Sequence, residues 1–273
     1  MKKYTILGLV AVILTFSSCD EFFTTSWGKS RTYDPSKIDV NADNIDKWVK
    51  AATGNPDLAD AVTSAIIHEL EKFDHESLGS PEAAALLDGG VKLAVEASGV
   101  STSIVARGAE LLGDIDHFGE DTVMDLLGKI QGDFNSGGGP AAAKNIATMV
   151  ELTIDKDGPY PKFVGPYANI VKPGDVAEAI LVLVLGEYGG IPIIEKNNWE
   201  EITSKFEGLG ILEDTPPNPP HINITNDPNP PTSGAIALAA YLNLIADDKS
   251  GKFTNNPLTD TIREAFFDNW VSP

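Results

Sequence analysis

The stretch "NPDLADAVTSAIIHELEKF", residues 55–73, decides how this chain is read. Leu58, Val62, Ile66, Leu70 and Phe73 recur every three or four residues, which places one face of an α-helix against a core. Asn55 is a residue type whose side chain caps a helix start. Pro56 follows in the first turn, where its missing N–H costs nothing, and Asp57 puts a negative charge at the positive helix end. "SPEAAALLDGGVKLAVEASG", 80–99, repeats this chemistry from Ser80 and Pro81 and closes on Gly99. Upstream, "NADNIDKWVKAATG" at 41–54 sets Ile45, Trp48 and Val49 at helical spacing. Further helical runs are expected near 102–112, 120–131, 140–154, 174–188, 233–247 and 258–270. Strand signals are few, and "HINIT" at 221–225 is the best of them. The expected fold is all-α, an irregular helical bundle or helical-repeat-like array with a Pro-rich connector.

Two runs depart from one-sided patterning. "VAEAILVLVLGEYGG" carries an unbroken apolar stretch from Ile180 to Leu185, and "GAIALAAYLNLIADD" is rich in alanine. Both are shorter than the roughly 20 residues a bilayer span needs, so they read as core helices surrounded by protein. "AATG" at 51–54 and "EASG" at 96–99 lie 45 residues apart, a spacing known in helical repeats; shared helix-ending chemistry explains the match equally well.

The N-terminus has a different pattern. Lys2 and Lys3 precede an apolar run from Tyr4 to Phe16, and the small residues Ser17 and Ser18 lead to Cys19, the only cysteine in the chain. A charged start, a short apolar run and a small-residue exit describe an export signal over residues 1–18. "TFSSC" resembles the bacterial lipobox, with Phe16 where that family usually has Leu. The resemblance covers the first twenty residues. It implies cleavage before Cys19, lipidation of that thiol with acyl chains such as palmitate, and a place in the bacterial cell envelope, on the periplasmic face or at the cell surface. The general look also resembles helical lipoproteins of spirochaetes. On this reading residues 19–40 are a lipidated tether, and 41–273 form the helical domain.

Charge bounds the partners. The chain has 20 basic and 40 acidic residues, and without Lys2 and Lys3 the balance is 18 to 40. Such a surface repels phosphate backbones and anionic lipid, so nucleic acid is excluded as a partner and membrane attachment is expected to be covalent, through Cys19.

Candidate chemistry is sparse, and no cofactor is expected. "HELEK" at 68–72 begins the zinc-protease pattern but has Lys72 where a second histidine is needed. His75 sits two turns from His68, near 10 Å, too far to share one ion directly. "DIDHFGEDTVMD" at 114–125 spaces Asp114, Asp116, Glu120 and Asp125 like ligands of a calcium loop. Phe118 occupies a ligand position, however, and Asp125 stands where a longer Glu is usual. An acidic loop capping the next helix accounts for the same residues. The segment 215–231 holds seven prolines and favours an extended, exposed backbone. Pro216, Pro217, Pro219, Pro220, Pro230 and Pro231 are therefore candidates for touching a partner. No histidine is set with an obvious serine or aspartate partner, so no catalytic residue is assigned. The expected function is a non-enzymatic binding or scaffold protein that engages an envelope protein or a small ligand. The alternative is a periplasmic or wall-active enzyme using acidic residues.

Overall fold

In a computed structural model of the chain, the structure describes residues 33–103, 120–188, 209–212, 221–224 and 230–253, together with Thr259 and Ile262. Its elements are α1 (Ile45–Ala52), α2 (Pro56–Leu70), α3 (Pro81–Ser98), α4 (Glu120–Ser136), α5 (Gly139–Thr153), the single turn α6 (Tyr167–Ile170), α7 (Pro173–Tyr188) and α8 (Ser233–Ala246). Two antiparallel ladders accompany them. Strand β1 (Ile154–Asp155) pairs with β2 (Lys162–Phe163), and β3 (Leu209–Leu212) pairs with β4 (His221–Ile224) in the register Leu212 opposite His221. The fold is all-α, and "HINIT" is the strand that its β-branched content predicts.

The capping chemistry is realised atom by atom. Asn55 Oδ1 accepts from Leu58 N at 3.2 Å, and Ser80 Oγ accepts from Ala83 N at 3.2 Å. α3 ends on Gly99 in the left-handed region at φ 70°. Val62, Ile66 and Leu70 of α2 are fully buried, each stabilising by about 1.5–3 kcal/mol. His68, Glu71 and His75 point to solvent. Helices α3 and α5 form the middle of the bundle. α3 packs against α1, α2, α5 and α7, and α5 against α2, α3, α7 and α8. Two glycines in α3 permit this crowding. A Cβ at Gly90 would lie 2.5 Å from Met149 Sδ, and one at Gly89 would run into the Ile45 side chain. α7 and α8 fill the far side of the core. Every residue from Gly234 to Ile245 is buried, so α8 has no wet face.

Three expectations need correction. The domain begins before residue 41, because Val40 is buried, Trp48 Nε1 donates to the Asp39 carbonyl at 3.0 Å, and Asn55 Nδ2 donates to the Tyr33 hydroxyl at 3.2 Å. Residues 33–40 are thus docked onto the helices. The glycine run 137–139 makes a tight corner between α4 and α5. Gly137 N donates to Asp133 O at 3.0 Å, and a Cβ at Gly138 would fall on the Ala97 carbonyl. α4 also runs past 131 to Ser136, since Ile130 and Phe134, one turn apart, are both buried. Third, the centre of the Pro-rich segment is not exposed. His221 and Ile222 are buried where β4 lies along α8, while Pro230 is exposed and Pro231 half-buried. A β-branched strand with an apolar surface beside it overrides the extended, solvated preference of its proline flanks.

The signal 1–18, Cys19 and most of the 19–40 tether lie outside the described residues, as do most of the 102–112 and 258–270 helices. Thr259 and Ile262 are helical and buried.

Candidate functional site

The densest set of chemistry-bearing side chains sits where α3 meets α7. Asp88 and Lys92 are one turn apart on α3, and Asp175 and Glu178 occupy the first turns of α7. Lys92 Nζ lies 2.6 Å from Asp88 Oδ2 and 3.4 Å from Asp175 Oδ2, so a single ammonium serves two carboxylates. Asp88 Oδ1 is buried and accepts no hydrogen bond from the described residues. Burial alone would lower the Lys92 pKa, but the Asp88 and Asp175 carboxylates more than offset it and hold the ammonium charged. Asp175 moves the other way. Burial raises its pKa, Lys92 opposes that, and Asp88 adds to it.

Glu178 is the most perturbed carboxyl of the set, raised to about 7 by burial first and then by Asp175 and Glu96. Its side chain still meets solvent, although protein surrounds it on most sides. Glu96 is itself engaged, accepting from Gly54 N at 2.7 Å. Beneath the cluster, the fully buried hydroxyls of Tyr167 and Tyr241 share a hydrogen bond of 3.1 Å. The Phe163 ring lies 4.6 Å from Tyr167 and 5.0 Å from Tyr241. Burial, with Asp88 and Asp175 contributing, raises both tyrosine pKa values, so both hydroxyls keep their protons.

A second constellation joins three distant segments. His221 Nε2 is 2.8 Å from Asp247 Oδ1, and Tyr160 stacks on the imidazole at 4.0 Å between centroids and 10° between planes. The Tyr160 hydroxyl donates toward both Asp247 oxygens at 3.3 Å. Burial would raise the Asp247 pKa, but the bond and charge of His221, the Tyr160 hydroxyl and Lys162 together lower it. The sequence shows no obvious aspartate partner for a histidine, and the structure supplies one. His221 and Asp247 are 26 residues apart, and they meet because β4 lies along the end of α8. No spacing rule announces such a pair; the one available signal was a strand opening on histidine ahead of an apolar helix ending in "ADD". The His221 side chain is 5% exposed, so a substrate has no path to it.

The residues singled out in the sequence are not gathered into one site. Asp114 and Asp116 lie outside the described residues, Glu120 and Asp125 fall in the first turns of α4 with side chains outside them, and Pro216, Pro217, Pro219 and Pro220 lie outside them too. His68 Nδ1 is 3.6 Å from Glu71 Oε2 on an exposed face. Among the described residues no group of three or more His, Cys, Asp or Glu side chains is arranged to hold a metal ion, and no helix is long and apolar enough to cross a membrane. No protein family model, curated protein or solved structure matches the chain.

Proposed function

We propose that the protein is a bacterial lipoprotein, anchored in the cell envelope through acyl chains on Cys19, whose helical domain binds a partner without catalysing a reaction. The anchoring part rests on the order of Lys2 and Lys3, the apolar run and Cys19. The binding part rests on one observation: the half-buried charges between α3 and α7, and the buried His221, are paired with neighbouring side chains. Lys92 is divided between Asp88 and Asp175, and His221 is held between Tyr160 and Asp247. Groups so committed hold a scaffold together and leave little free for turnover. The body is acidic, so its partner is an envelope protein with a basic or apolar contact surface, or a small ligand, and not a nucleic acid. Pro216–Pro220 are the first residues to alter, because changing the whole 216–231 segment would also remove β4 from the core.

Metabolic labelling with a palmitate analogue tests the anchor: wild type should label and Cys19→Ala should not. Capture from native membranes tests binding. One envelope species should co-purify with wild type and be lost when 216–220 becomes Gly/Ser. Equal capture by that variant would remove the proline segment from the reading.

One observation favours the alternative, an enzyme using acidic residues. A solvent-exposed carboxyl raised to about 7 is suited to general acid work at neutral pH. Turnover of a cell-wall glycan or peptide by the wild-type chain, abolished in Glu178→Gln, would establish that reading and overturn the first.

A further inference from the structure

His221 opens β4, and Ile222, the next residue, is held through its backbone. Asn243 of α8 accepts from Ile222 N at 2.8 Å and donates to Ile222 O at 2.8 Å and to Pro161 O at 3.0 Å. The ladder is therefore attached to α8 at two adjacent points. One is a neutral amide that no pH change alters. The other is the Tyr160–His221–Asp247 contact, whose central group changes charge between about pH 5 and 8. We infer that Tyr160, His221 and Asp247 form a pH-responsive latch that sets how tightly the β3–β4 ladder holds to α8.

Among the described residues, the groups around the imidazole favour one direction. From the end of α8 come Asp247, in contact, and Asp248, which accepts from Ser250 N, Ser250 Oγ and Phe253 N. From the β1–β2 turn comes Tyr160, which shares Asp247. Lys162 of β2 acts on the same carboxylate and competes with the imidazole for it. The turn also carries Asp155 and Asp157, and Asp155 Oδ1 accepts from Asp157 N at 2.9 Å. β3 and the remainder of β4 contribute no titratable side chain. A protonated imidazole makes a charge-assisted bond to Asp247, shorter and stronger than the neutral bond that replaces it. The latch requires this bond to outweigh the cost of burying the imidazolium, so that the folded state favours the charged form. Stability from this contact is present at lower pH and is lost as pH rises through the native titration of His221. Loosening would uncover the apolar side of α8 that β4 covers at Ile222, giving the domain two surfaces selected by acidity.

Hydrogen exchange of the full chain tests the latch, with β4 amide protection corrected for intrinsic exchange and measured from pH 5.5 to 8. About tenfold greater protection is expected at pH 5.5, the equivalent of a one-unit difference in proton affinity between latched and released states. The midpoint should coincide with the His221 imidazole titration followed by NMR, with exposed His68 as an internal reference. Asp247→Asn should flatten the profile. Flat protection in wild type would overturn the latch, as would a midpoint apart from that of His221 or an unchanged profile in Asp247→Asn.

Discussion

α2 and α8 are helices of nearly equal length that use their surroundings in opposite ways. α2 buries Val62, Ile66 and Leu70 and turns His68 and Glu71 to water, so half of its side chains answer to the core and half do not. α8 is enclosed from Gly234 to Ile245. Full enclosure leaves no position where a polar group can turn to solvent, so each one needs a partner inside. Tyr241 meets Tyr167, and Asn243 meets the backbone of Ile222 and Pro161. At the helix start Thr232 Oγ1 donates to Glu187 Oε2 at 2.7 Å, drawing a carboxylate to the positive end of α8. The exposed polar residues of α2 are therefore interchangeable, and the polar residues of α8 are structural.

The sharpest way to break this contrast is Asn243→Leu, which keeps the branched shape and strands one N–H and two carbonyls. Urea unfolding should show a loss of about 3–5 kcal/mol, since each buried orphan costs about 1–3 kcal/mol before relaxation. A loss below about 1 kcal/mol would mean that α8 tolerates polar change as α2 does. Ile66→Ala on the buried face of α2 should cost about 3 kcal/mol, a cavity effect without any polar component.

Glu178→Gln probes a wet position on otherwise buried α7. In wild type the native carboxyl keeps its proton up to about pH 7 while the unfolded one loses it near 4.5. Stability from this group therefore falls as pH rises across that window. The variant should remove that decline and be slightly more stable at pH 8, by less than about 1 kcal/mol because water screens the site. Thermal melts at pH 4.5 and 8 measure it, and an undiminished decline would assign the slope to another group. His68→Gln should change stability by no more than about 0.5 kcal/mol.

How far the sequence reached follows from the same contrast. A one-sided helix announces itself by periodicity, and so the buried faces and starts of α2 and α3 were legible from Asn55, Ser80 and the apolar stripe from Leu58, and the end of α3 from Gly99; α2 stops at Leu70, short of Phe73. An enclosed helix announces only that it is enclosed. The apolar runs at 180–185 and 234–245 marked α7 and α8 as core, but nothing in them says what Asn243 or Tyr241 touches. Those partners are 21 to 82 residues away and depend on how the chain returns. The clusters were hidden for the same reason. Asp88 and Lys92 are visible as a helical pair, whereas Asp175 joins them only through the packing of α3 on α7. The Pro-rich segment misled because local preference was read without the apolar surface that β4 covers.

The three bonds of Asn243 also bear on the order of folding. They tie residue 243 to residues 161 and 222, contacts that span 82 and 21 positions, whereas the α2–α3 pairing joins neighbours in the chain. Closing the longer loop has an entropic cost that is recovered only once both ends are in place, so this clip should form after the folding barrier. Removing it would then leave the folding rate nearly unchanged and quicken unfolding. Stopped-flow chevrons of Asn243→Leu should show the effect almost wholly in the unfolding limb, with slower folding the result that would place the clip in the nucleus. An amide that contributes after the barrier sets how long the native state lasts more than how quickly it is reached.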